Sequence, residues 1–111
     1  MRAYTVDELS PEDVEKIEEA LARKGWTGSI KGMYYIPVPD DRLGPEQREH
    51  APSCGPFFLP LETGDGWVRL EMLVRSRQIL RCSCVAYACR ELREHMIDLV
   101  DGLIRELDIA V

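Results

Sequence analysis

From Val85 to Ile109 the apolar residues recur with the spacing of an α-helix. At roughly 100° per residue, Val85, Cys89, Leu92, Met96, Leu99, Leu103 and Leu107 share one side. Arg90, Glu94, Asp98, Asp101 and Arg105 share the opposite side, as a surface helix requires. This is the longest periodic signal in the chain, and the remaining elements are expected to cover its apolar stripe. Ala86, Ile97 and Ile104 lie outside that stripe. The helix therefore carries more apolar surface than one sheet needs, and Ile97, Val100, Gly102 and Ile104 are the expected contact residues for a second copy of the chain.

A shorter helix is marked near the start. Ser10 is its N-cap, Pro11 its first residue, and Asp13 stands at the capping-box position. Leu9 and Val14 form a hydrophobic staple, and Gly25 followed by Trp26 predicts a Schellman ending at Leu21. Val14, Ile17 and Leu21 give this helix a narrow apolar face.

Between the helices the pattern changes to that of strands. Residues 30–38 are rich in aromatic and β-branched side chains, and Pro37 and Pro39 end the run. Phe57-Phe58-Leu59-Pro60-Leu61 echoes Tyr34-Tyr35-Ile36-Pro37-Val38 and reads as a second strand. Thr63-Gly64-Asp65-Gly66 predicts a hairpin turn. Beyond it, Val68, Leu70, Met72 and Val74 alternate with Arg69, Glu71, Leu73 and Arg75, the mark of a strand with one buried face. Residues 78–84 are read as a fourth strand, with Leu80, Cys82 and Cys84 inward; a helix starting at Ser76 is the competing reading. The stretch from Pro39 to Pro56 is polar and is expected to be mostly loop, with one helical turn from Gly44-Pro45 through His50. The expected fold is α+β. It is a two-layer sandwich of about four antiparallel strands in α-β-β-β-β-α order, with both helices on one face, forming one domain over residues 1–111.

The net charge of −6 argues against general affinity for nucleic acid or anionic membrane. The acidic start fits no secretory leader and no run is long enough to span a membrane, so a cytoplasmic setting with reduced cysteines is expected. Locally the charge is uneven. Arg69, Arg75 and Arg81 would share the wet face of the sheet, near Tyr34 or Tyr35, a combination that can hold an anion or single-stranded RNA.

Cys54, Cys82, Cys84 and Cys89, with His50, supply enough ligands for a tetrahedral zinc site or a thiol redox site. The spacing argues against it. Cysteines two apart on a flat strand hold their Cβ atoms roughly 6–7 Å apart. Sulfurs sharing one zinc need to be closer to about 4 Å. Cys54, in Ser53-Cys54-Gly55-Pro56, is expected to be the exposed, reactive thiol. His95, near Glu91 and Asp98, is the one histidine placed for acid–base work. No nucleophile elbow, phosphate loop or dinucleotide fingerprint occurs. The expectation from sequence is a homodimeric protein-interaction module without catalysis or cofactor, with the cysteine site and the arginine face as alternatives.

Overall fold

The computed structural model describes residues 2–79 and 81–111. Among them are three helices, α1 (Pro11–Arg23), α2 (Pro45–Cys54) and α3 (Arg90–Glu106). Six strands accompany them: β1 (Ala3–Val6), β2 (Met33–Pro37), β3 (Phe57–Gly64), β4 (Trp67–Glu71), β5 (Leu73–Ser76) and β6 (Ala86–Tyr87). All pair antiparallel in one sheet, so the class is α+β as expected.

The six strands fill four positions across the sheet. β2 lies beside β3, and β3 pairs on its other side with β4 and then β5. β1 flanks β4 and β6 flanks β5. The break between β4 and β5 is a shift of register: Leu61 faces Leu70 but Phe58 faces Arg75, so Leu59 and Pro60 span the longer stretch 71–74. Proline has no N–H to donate, and a central strand tolerates one only where the ladder is interrupted. Pro60 sits at that interruption. Met72, at the break, donates its N–H to Arg2 at 2.9 Å and accepts from the Ala88 N–H at 2.8 Å, tying in the segments that bear β1 and β6.

The helix ends follow their sequence signals. Ser10 Oγ accepts from the Asp13 N–H at 3.1 Å. Gly25, at φ +79°, lets Trp26 N–H reach Leu21 C=O at 3.2 Å, the Schellman pairing. Asp108 does the same at the end of α3 with φ +58°, and Ile109 N–H bonds Ile104 C=O.

One hydrophobic cluster joins Val14, Ile17 and Leu21 of α1, one face of the sheet, and Leu92, Met96, Val100, Leu103 and Ile104 of α3. α3 is therefore enclosed more fully than its periodicity suggests. Ile104 and Val100 retain 2% and 4% of their exposure, and Ile97, Leu99 and Gly102 are half-buried. Of the four residues expected to meet a second copy, Val100 and Ile104 are therefore taken up by the chain's own core, while Ile97 and Gly102 keep part of their surface exposed. Among the described residues, no helix is long and apolar enough to cross a membrane.

Three expectations are corrected. Residues 78–84 are neither strand nor helix: among those described they form bends and a tight turn, and α3 begins at Arg90. Leu80 lies outside the described residues. The stretch 39–56 contains a ten-residue helix, α2, not a single turn. β1 is an additional edge strand, made by the β-forming run Tyr4-Thr5-Val6.

Candidate metal centre

α2 has little reason to dock through hydrophobicity. Of its ten residues only Gln47 and Cys54 are buried. Its start is defined by Pro45 in the first turn and by Gln47, whose Oε1 accepts the Gly44 N–H at 2.9 Å. It ends where Gly55 N–H returns to Ala51 C=O at 2.9 Å. A Cβ on Gly55 would stand 2.7 Å from that carbonyl oxygen, so the close exit needs glycine.

His50 and Cys54 are four residues apart on α2 and so share a face. Opposite them run residues 77–79 and 81–85. Their carbonyls and hydroxyls are stitched to α2. Gln47 Nε2 donates to Cys84 C=O at 3.1 Å, Ser83 Oγ donates to Glu46, and Gln78 Nε2 donates to Gly55 C=O. Ser76 Oγ, at the end of β5, donates to Cys54 C=O. Within the segment, Val85 N–H bonds Cys82 C=O at 3.0 Å, closing a turn over Ser83 and Cys84. That turn brings together two cysteines that an extended strand would hold apart.

The resulting cluster is His50, Cys54, Cys82 and Cys84, whose ligand atoms all lie within 4.8 Å of one another. Cys54 Sγ is 3.6 Å from Cys82 Sγ. His50 Nδ1 is 3.1 Å from Cys82 Sγ and 3.9 Å from Cys54 Sγ. A tetrahedral zinc, with bonds of about 2.3 Å to sulfur and 2.0 Å to nitrogen, sets sulfurs about 3.8 Å apart and sulfur and nitrogen about 3.5 Å apart. The three distances among His50, Cys54 and Cys82 lie within about 0.4 Å of those values, and Cys84 completes the set within 4.8 Å.

Its electrostatics suit a dication. The Cys84 N–H and thiol hydrogen-bond to Cys82 and pull its thiol down to about 6, with Cys54 and His50 adding to the effect. Burial pushes the Cys84 thiol up to about 12, reinforced by Cys82 and Cys54. Without a cation the cluster accommodates one thiolate readily and resists a second beside it. A divalent ion held by these residues would remove that resistance by supplying the opposing charge.

The other sequence candidates stand apart. Cys89 is exposed at the N-cap of α3 and is not in the cluster. Cys54 is corrected from exposed loop thiol to a buried helical residue, because the segment 77–85 lies across the end of α2. His95 has no place in the cluster. The arginine face is also corrected. Arg69 is bound to Glu62 at 2.7 Å and lies over the Trp67 ring, and Arg75 is bound to Glu71 at 2.8 Å. Arg81, with no strand to hold it, is exposed off the sheet.

Compared with protein-family models, curated protein sequences and solved structures, the chain matches none. The function must be read from its own residues.

Proposed function

We propose that this chain is a non-enzymatic zinc-binding module. His50, Cys54, Cys82 and Cys84 hold one Zn²⁺ in a closed tetrahedral site. The observation that carries this reading is the convergence of three sulfurs and one imidazole nitrogen from two separate segments at zinc-like spacing. Four protein ligands leave no open position for water or substrate, which is the arrangement of a structural rather than a catalytic zinc. The ion's work is to fasten α2 and the turn at Cys82–Cys84 to each other, since α2 buries too little apolar surface to hold that packing alone. The rigid surface so produced serves contact with another macromolecule.

Metal analysis of protein purified without chelator tests the reading. Stoichiometric zinc is expected. Cobalt substitution should give the visible absorption of a tetrahedral, thiolate-rich site, and Cys84→Ser should abolish both signals. Protein that is fully folded, free of metal, and indifferent to added zinc would overturn it.

A further inference from the structure

The four ligands differ in their access to solvent. Cys54 and Cys84 each retain 1% of their exposure, whereas Cys82 is only half-buried. Among the three cysteine ligands, Cys82 is therefore the residue an oxidant arriving from water can reach. Cys54 offers its sulfur 3.6 Å away. A disulfide bond is about 2.05 Å long, so rotation of the two side chains has about 1.5 Å to close. Cys54 sits on a helix and Cys82 outside regular structure at the start of a turn, so Cys82 is the side chain that rotates. A bridge from Cys82 to Cys84 would instead distort the turn held by the Cys82 carbonyl and the Val85 N–H.

We propose that Cys82 is an oxidation site, at which hydrogen peroxide joins it to Cys54 in a disulfide and so dismantles the metal centre. The Cys82 thiolate attacks one peroxide oxygen, the O–O bond breaks, and the departing hydroxide takes a proton to become water. Cys82 is then a sulfenic acid. The Cys54 thiolate attacks that sulfur, the S–O bond breaks, and the second hydroxide also leaves as water. The two sulfurs have lost a pair of electrons and the peroxide has gained them. Zinc, left with Cys84 and His50 alone, lacks the four-ligand shell of a structural site and escapes. The loss of metal rests on the zinc reading; the disulfide does not.

The experiment treats the full-length reduced protein with equimolar hydrogen peroxide in the presence of a chromogenic zinc chelator. Peptides are then mapped by mass spectrometry without reduction. The expected result is a Cys54–Cys82 link formed in step with the colour of released zinc. Cys54→Ser should instead leave Cys82 as a sulfenic acid trapped by dimedone. Links through Cys84 or Cys89, or oxidation of Cys82 with no link in the unaltered protein, would overturn the proposal. If the starting protein holds no zinc, the zinc reading fails while the peptide map still decides this one. The map of the unaltered protein also decides should the serine variant not fold.

Discussion

His50 Nδ1 lies 3.1 Å from Cys82 Sγ across 32 positions of sequence. That contact joins a helix with almost no apolar face to a segment with no regular structure, and it is the junction that the proposed zinc would brace. Removing the metal with a high-affinity chelator should therefore loosen only one part of the molecule. Backbone amides of α2 and the segment 77–85 should exchange with deuterium faster. Those of β3, β4 and α3, sealed by the hydrophobic core, should keep their protection. Hydrogen exchange followed by mass spectrometry checks this, and uniform loosening would contradict it.

Cys89→Ser should leave zinc stoichiometry unchanged, because Cys89 is exposed and stands outside the cluster. The same substitution at Cys54 should remove the metal. Elemental analysis of the two variants separates cluster geometry from mere cysteine content.

Gln47 is the buried polar side chain that bridges the start of α2 and the Cys84 carbonyl. Gln47→Ala strands that carbonyl without its partner, a loss of about 1–3 kcal/mol. Zinc competition should also show about 10–100-fold weaker binding, the usual consequence of losing a group that orients a ligand. Denaturant melts and a competing chelator measure the two effects.

Ile104 belongs to the core, so Ile104→Ala should destabilise the fold by about 2–5 kcal/mol. The variant should elute from size exclusion as the unaltered protein does. A change in assembly without loss of stability would instead return Ile104 to an interface.

Tyr4 donates its hydroxyl to Asp101, pinning β1 to α3. The hydrogen bond to that carboxylate, with burial and its negative charge, raises the Tyr4 hydroxyl to about 12. The folded state thus holds the proton more tightly than the unfolded state, whose tyrosine releases it near 10. Stability from this group is complete below pH 10 and falls as pH rises from 10 towards 12. Tyr4→Phe should cost about 1 kcal/mol at neutral pH and reduce that alkaline decline. Urea melts at a series of pH values read both quantities.

The local elements with strong signals were legible without coordinates. α1 needed only Ser10, Pro11 and Gly25, because caps are satisfied within a few residues of chain. The hairpin at Asp65-Gly66 and the alternation of β4 are equally local. α2 was legible only at its start, from Gly44-Pro45, because its residues carry no apolar stripe; its full length was hinted at by the four-residue spacing of His50 and Cys54. The segment 77–85 misled because Cys82 and Cys84 alternate as in a strand. Its turn is instead fastened from outside by Gln47 and Glu46, residues some 37 positions away.

Sequence alone determined the α+β class, the capped first helix, the hairpin, the amphipathic last helix and the inventory of thiols, since each depends on neighbours a few residues apart. The tertiary structure decided which face of α3 is buried, how six strands fill four places, and which cysteines meet. Those outcomes depend on contacts between distant segments, where one side chain's position is set by another's packing rather than by its own neighbours. The site exists only because two weakly hydrophobic segments are folded against each other, and it is there that His50, Cys54, Cys82 and Cys84 converge.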